Sequence, residues 1–286
     1  MSWRIWIVFI TLCMIWGIPY FLIKIALAEI SPAGVAWGRI ALGTVVLLPV
    51  AWHRGVVRPA MQHKGAIVAF AIAELVIPFS MIALGESWIS SSLAGILVAT
   101  VPLTVLLLAP AFGIRETLNA RRLIGLAIGF IGVVALLGID SVHTVQQWLG
   151  VVCLLVAVIG YAAGPLIVQR YLADVDELGA LACSLLIATI ILLPFAALTV
   201  PARIPSPQAL VSVALLGIAC TAIALLLYFY LINAAGAARA SVVAYINPAV
   251  ATLLGVLVLH EPFGIGTVAG LTLIIGGSWL ATHKTN

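Results

Sequence analysis

The feature that most constrains this sequence is a series of apolar stretches, each long enough to cross a lipid bilayer. Dividing the chain at prolines, glycines and charge clusters gives ten stretches, over residues 4–27, 32–52, 65–85, 89–112, 119–138, 147–169, 178–199, 208–232, 239–259 and 263–282. A helix needs about 20 apolar residues to cross the hydrocarbon core. Only 8% of the residues are charged, against roughly 25% in soluble domains. We therefore predict an all-α integral membrane protein with ten transmembrane helices.

The distribution of lysine and arginine predicts the orientation of these helices. If the N-terminus is cytoplasmic, ten of these residues fall on the cytoplasmic side and only Lys24 and Arg203 on the outer side, with Arg39 inside the second helix. Cytoplasmic loops carry an excess of positive charge. We therefore expect both termini in the cytoplasm, and we attribute the net charge of +4 to orientation in the lipid bilayer and not to nucleic-acid binding.

The second half of the chain repeats features of the first half. Features coincide when the chain is shifted by 145 or 146 residues: Pro19 with Pro165, Pro102 with Pro248, and Glu116 with Glu261. This divides the chain into residues 1–140 and 141–286. Five helices is an odd number, so the second five-helix repeat should be inverted in the membrane, as in alternating-access transporters. A duplication kept only for packing is the alternative.

Several motifs, taken in order, resemble the drug/metabolite transporter superfamily, EamA type. They are Trp16-Gly17, Lys24, Arg39, the run SSSLAGIL at 90–97 before Pro102, Glu116, Glu261, and the run ASVV at 240–243 before Asn247-Pro248. The resemblance implies a multi-pass exporter of the bacterial cytoplasmic (inner) membrane. It implies amino acids or similar metabolites as substrates, some similar members being aromatic amino acid exporters. It also implies a central cavity lined by helices 1, 3, 4, 6, 8 and 9, with helices 5 and 10 peripheral.

Glu74 is the most informative single residue, because it lies near the middle of the predicted third helix. A charged side chain at the centre of a bilayer costs roughly 2.5–3.5 kcal/mol on insertion scales. One hypothesis is a cavity carboxylate that binds a substrate amine or takes up a proton. The other is a structural ion pair between Arg39 and Glu74. Arg39 itself could bind a substrate carboxylate, or it could be structural.

Aromatic side chains at mid-membrane depth form a second group of candidates: Trp16, Tyr20, Tyr161, Tyr228 and Tyr245. Interfacial aromatics belong near the headgroups, so these five need another explanation. They either pack in the protein core or line a cavity for an organic side chain.

Two prolines at matching depths, Pro102 and Pro248, predict helix kinks at which a gate could bend. Proline frees backbone carbonyl groups, and Asn247 beside Pro248 could bind polar groups of a substrate there. A plain structural kink is the alternative.

Glycine pairs with GxxxG spacing predict close helix packing, with a dimer face as a further option. They are Gly34/Gly38, Gly125/Gly129, Gly160/Gly164 and Gly266/Gly270. We expect a monomer or weak homodimer.

The favoured function is a secondary transporter that exports small organic metabolites, most of all amino acids, including aromatic or hydrophobic ones, by alternating access. The sequence contains no GxxxxGK[ST] motif for ATP hydrolysis. An exchanger of phosphorylated sugars or nucleotide-sugars is the alternative, although a dianion calls for more than one deep cation. An intramembrane enzyme is a more distant alternative, because no catalytic pair lies within the apolar stretches.

We expect no cofactor and no metal, because no cysteine or histidine has the spacing of metal ligands.

Overall fold

A computed structural model of the chain describes residues 3–114, 120–139, 142–235 and 243–282, and the secondary structure of these residues is helical throughout. The long helical segments are α1 (Trp3–Ala26), α2 (Pro32–His53), α3 (Lys64–Glu86), α4 (Ser91–Phe112), α5 (Ala120–Ile139), α6 (Val145–Tyr171), α7 (Glu177–Ala197), α8 (residues 207–235), α9 (Val243–Leu259) and α10 (Ile265–Thr282). A short helix, Val57–Met61, lies between α2 and α3.

Eight of these segments, α1 to α8, are long and apolar enough to cross a membrane, with mean hydropathy between 1.6 and 2.7. The apolar stretches found in α9 and α10 are shorter, Asn247–Leu259 and Ile265–Leu280. The chain is therefore a multi-pass, all-helical membrane protein. The full count of ten spans stays a prediction.

Local sequence explains where several helices begin. The hydroxyl of Ser31 accepts a hydrogen bond from the amide of Gly34 at 3.1 Å, and Pro32 occupies the first turn of α2. Ser206 caps α8 in the same way, and Thr144 forms a capping box with Gln147 at the start of α6. Serine and threonine side chains satisfy amide groups that have no partner within the helix.

The matching prolines of the two halves have different effects on their helices. In the first half, α1 is interrupted at Ile18, before Pro19, and α4 is interrupted at Ala99 and Thr100, before Pro102. In the second half, α6 and α9 run through Pro165 and Pro248 as single α-helices. A proline removes a helical hydrogen bond and clashes with the preceding turn, and only the first-half helices break into two pieces in response.

Helices of one half pack mainly on helices of the other half. The pairs in contact include α1 with α8, α6 with α3, α1 with α9, α6 with α4, α2 with α7, and α5 with α10. α5 packs chiefly against α10 and takes little part in the other pairs. The contacts of α1 with α8 and α9 therefore have counterparts in the contacts of α6 with α3 and α4.

The glycine pairs serve this packing within the chain. A Cβ atom at Gly277 would overlap the backbone of Gly129, so the backbones of α5 and α10 approach closely there. Gly38 lies against Val213 of α8, and Gly270 lies against Leu136 of α5. The prediction that these spacings permit close helix approach is confirmed at these positions.

Candidate functional site

Two π-helical segments occupy equivalent positions in the two halves. The first is Ala71–Val76 in α3 and the second is Ile218–Ile223 in α8, and both boundaries are 147 residues apart. A π-helical turn leaves backbone carbonyl groups without their usual partners and occurs often at functional sites. In the second segment, the hydroxyl of Thr221 donates to the carbonyl of Leu216 at 2.9 Å.

The first π-helical segment holds Glu74 against α6. Its carboxylate lies directly over Gly164, where any side chain would overlap Oε2. Gly160, one turn earlier, lies against the carbonyl of Ala73. The Oε2 atom of Glu74 is buried and accepts no hydrogen bond from any residue that the structure describes. Buried carboxylate oxygens normally have donors, so Glu74 is a candidate to bind a ligand or a proton.

Arg39 is buried on α2, with 6% of its surface exposed. Its Nε donates to the hydroxyl of Thr221 at 2.9 Å, and its Cζ lies 3.8 Å from the centroid of the Phe79 ring. This is a charge-assisted hydrogen bond together with a cation–π contact.

The ion pair between Arg39 and Glu74 that the sequence allowed is not formed. The Arg39 guanidinium instead contacts Thr221 and the Phe79 ring, and the Oε2 atom of Glu74 has no hydrogen-bond partner among the described residues. The carboxyl group and the guanidinium group stay separate.

Aromatic side chains surround these two groups. The rings of Trp16 and Tyr228 lie 4.9 Å apart at 50°, and the rings of Phe79 and Tyr161 lie 6.4 Å apart at 72°. The indole of Trp16 donates to the carbonyl of Cys220 in the second π-helical segment at 3.3 Å. This hydrogen bond occupies one backbone carbonyl group of the second π-helical segment.

The tyrosines pack close to these groups. The Tyr161 ring packs on Phe79, which also contacts the Arg39 guanidinium, and the Tyr228 ring packs on Trp16. Tyr20 is buried in the hydrophobic cluster against which Tyr161 packs. The structure thus brings five of the predicted residues together with Arg39: Trp16, Tyr20, Glu74, Tyr161 and Tyr228.

The remaining predicted residues lie apart or outside the description. Asn247 is on α9, which packs on α1 and α4, and its Oδ1 is buried without a hydrogen-bond partner among the described residues. The side chain of Tyr245 and all of Glu116 lie outside the described residues. Pro102 follows the break in α4, whereas α9 is continuous at Pro248.

Four connections meet at one end of the bundle, which we call the distal end: residues 27–31, 87–90, 198–206 and 260–264. Lys24 donates to the carbonyls of Glu86 and Ile89 at 2.7 and 2.8 Å, which ties α1 to the end of α3. Ser31 donates to the hydroxyl of Thr199 at 2.8 Å.

Two glutamates bind serine donors at this end. Glu261 accepts hydrogen bonds from the amides of Ser91 and Ser92 and from the Ser92 hydroxyl, at 2.7, 2.9 and 2.5 Å. Glu29 accepts from the hydroxyl and amide of Ser206 at 2.5 and 2.7 Å. These hydrogen bonds hold the pKa of the Glu29 carboxyl below its usual value. Both glutamates stand at helix N-termini, where negative charge is stabilised.

Two surface cavities lie away from the charged pair. One, of about 410 Å³, is lined by residues 263–265, Val268 and Ala269, and the other, of about 360 Å³, includes Arg54 and Asp176 in its lining. Neither touches Glu74 or Arg39. The central cavity implied by the resemblance stays a prediction.

Sequence reasoning missed three residues that the structure places in or beside the cluster, Phe79, Glu86 and Thr221, and it assigned Gly164 to packing alone. Thr221 follows Glu74 by 147 residues. The offset taken from the prolines is 146 residues, so the sequence comparison did not align Thr221 with Glu74. Gly164 was identified as a packing residue, but its contact with a carboxylate depends on tertiary structure.

Comparison with known proteins agrees with this architecture. The EamA-like transporter family matches the chain twice, over residues 3–138 and 148–282. An uncharacterized transporter of Archaeoglobus fulgidus is 25% identical over 281 residues, covering 98% of this chain and 99% of its own length. The uncharacterized transporter YoaV of Bacillus subtilis is 24% identical, covering 96% and 94%.

Two further similarities extend this result. The uncharacterized inner membrane transporter YedA of Escherichia coli is 29% identical over 250 residues, covering 85% of this chain and 79% of its own length. A solved crystal structure superposes with a TM-score of 0.70 over 98% of this chain and 97% of its own, at 20% identity, which supports the fold alone. The chain is a membrane transporter and belongs to the EamA-like transporter family.

Proposed function

We propose that this transporter exports small zwitterionic metabolites, with amino acids as the favoured class, and that they bind between Glu74 and Arg39. One observation carries the proposal: a carboxyl group and a guanidinium group lie beside the same aromatic cluster without pairing with each other. The ammonium group of a substrate would bind the Glu74 carboxylate, and its carboxylate would bind the Arg39 guanidinium.

The separation of the two groups supports a small zwitterion. Arg39 lies over Phe79 and contacts Thr221, whereas the Glu74 carboxyl group lies over Gly164. A substrate that carries an ammonium group and a carboxylate close together would contact both side chains at once. The rings of Trp16 and Tyr228 would then contact an apolar substrate side chain.

An exchanger of phosphorylated sugars or nucleotide-sugars is less favoured. A dianionic group in a low-dielectric site needs more than one cation. Arg39 is buried near the cluster, whereas the Lys24 ammonium donates to two backbone carbonyls at the distal end.

Alternating access by two inverted five-helix halves, residues 1–140 and 141–286, is the mechanism that we propose. The double family match and the equivalent helix pairs support two related halves. We further propose ten spans with both termini in the cytoplasm of a bacterium, in its inner membrane. The excess of positive charge on one side and the name of YedA support this placement.

The test is efflux from proteoliposomes loaded with a mixture of amino acids, with the released compounds identified. We expect amino acids to leave, and Glu74→Gln and Arg39→Gln each to abolish most of the efflux. Asp174→Asn and Arg203→Gln, which change exposed residues, are matched controls and should behave as the unaltered protein. Efflux of other solutes but of no amino acid would contradict the proposed substrate class.

A further inference from the structure

Glu86 is a second buried carboxyl group, which neither the sequence motifs nor the proposed substrate site explains. It is the last residue of α3, and its exposed fraction is 0%. Neither carboxylate oxygen accepts a hydrogen bond within the part of the chain that the structure describes. A buried carboxylate without donors is unstable relative to the neutral acid.

The charged groups around Glu86 come from three other elements. Lys24 of α1, Arg39 of α2 and Glu261 of the α9–α10 connection lie within electrostatic range, as does the Tyr20 hydroxyl of α1. The Lys24 ammonium donates to the backbone carbonyl of Glu86 and not to its carboxylate.

The nearby Glu261 has the opposite environment. Its two oxygens accept three hydrogen bonds from Ser91 and Ser92 at the N-terminus of α4. Donors favour the ionised form of a carboxyl group, and burial without donors favours the neutral form. Glu86 is fully buried and has no donor among the described residues, so the proton belongs on Glu86.

We propose that Glu86 is a proton-binding site that is occupied while the distal end is closed and empties when that end opens. The O–H bond forms with a proton from the solution at the distal end, and the proton returns to that solution on opening. The proposal rests on the proposed transport cycle, because that cycle requires the distal end to open.

A proton suits this site better than a substrate does. Glu86 is fully enclosed, and neither of the two cavities includes it in its lining. Separating Lys24 from the carbonyls of Glu86 and Ile89 is the step that would expose the carboxyl group to water. An exposed glutamate has a pKa of about 4.3 and so releases its proton near neutral pH.

The first test is the infrared absorption of protonated carboxyl groups in the purified full chain at about pH 7. We expect Glu86→Gln to remove one such band and the control Asp174→Asn to leave it. A spectrum of Glu86→Gln identical to that of the unaltered protein would overturn the proposal. This measurement needs no substrate, so it succeeds or fails independently of the amino-acid hypothesis.

Folding of the variants supplies a second test. If Glu86 is neutral, the neutral amide of Glu86→Gln replaces it with little loss of stability. If Glu86→Gln fails to fold while Glu86→Asp folds, Glu86 is an anion stabilised by Lys24 and Arg39, and the proposal is wrong.

A third test uses transport. Acidifying the distal side should slow efflux by roughly threefold to tenfold per pH unit, as one proton-binding group allows, and Glu86→Gln should abolish this dependence. An unchanged pH profile in Glu86→Gln would contradict the proposal even if amino-acid efflux is confirmed.

Discussion

The two π-helical segments occupy the same position in the two halves, but they present different chemistry. The segment in α3 carries Glu74, whose carboxylate lies over Gly164 of α6 without a donor from the described residues. The segment in α8 carries Thr221, whose hydroxyl binds Arg39. One half therefore supplies a carboxyl group without a donor and the other half positions a cation. The comparison teaches that a repeated backbone feature can hold two unlike groups close to each other.

The largest expected effect comes from removing the carboxyl group of the first segment. Glu74→Gln keeps the shape of the side chain but cannot ionise, so a substrate ammonium group loses its counter-ion. Truncating one partner of a buried charge pair costs about 2–5 kcal/mol, so we expect efflux at limiting substrate to fall roughly 30-fold or more. Efflux within twofold of the unaltered protein would show that the asymmetry of the segments has no role in binding.

Displacing the Glu74 carboxyl group without removing it is a finer test of the same segment. Gly164→Ala places a methyl group where the Glu74 carboxylate lies, and overpacking costs about 1–3 kcal/mol. We expect a lower Tm and a several-fold loss of efflux. Gly276→Ala is the matched control, because a Cβ there meets no atom within 4 Å. Equal Tm changes in the two variants would contradict the close contact.

The second segment can be tested through Thr221. Thr221→Val keeps the volume but removes the hydroxyl that accepts from Arg39 and donates to Leu216. Hydrogen bonds to charged groups contribute about 1.5–3 kcal/mol, so we expect reduced stability and weaker substrate binding. Thr272→Val, on the exposed face of α10, is the control for replacing a threonine with a valine. We expect Tm to fall more in Thr221→Val than in Thr272→Val, and equal changes would contradict the role of the Thr221 hydroxyl.

The smallest effect concerns Glu29, which accepts hydrogen bonds from Ser206 at the start of α8. Hydrogen bonds from Ser206 lower the pKa of Glu29, so their stabilisation is present above the ordinary pKa of glutamate and is lost as the pH falls below it. We expect Tm to fall on acidification by slightly less in Glu29→Gln than in the unaltered protein. A larger fall of Tm in Glu29→Gln than in the unaltered protein would contradict this prediction.

The course of the helices could be predicted from the sequence because bilayer spans are local. The stretch predicted over 32–52 is observed as Pro32–His53, and the stretch predicted over 178–199 as Glu177–Ala197. Apolar length, proline and serine caps determine such boundaries without reference to distant residues.

The arrangement of the site could be predicted only in part. Glu74 and the aromatic residues stand out because polar and aromatic groups are unusual at that depth. The partners of Arg39 could not be foreseen, since Thr221 is 182 residues away along the chain and its register depends on the π-helical turn. Glu86 was missed because the predicted stretch stopped at residue 85, whereas α3 continues and Lys24 covers its end.

The most direct test of the account is competition for binding between phenylalanine, phenethylamine and 3-phenylpropionate in the purified protein. If Glu74 and Arg39 bind the two ends of a zwitterion, phenylalanine should bind more tightly than either singly charged analogue. Glu74→Gln should then remove its advantage over 3-phenylpropionate, and Arg39→Gln its advantage over phenethylamine. Equal binding of all three compounds to the unaltered protein would contradict the account.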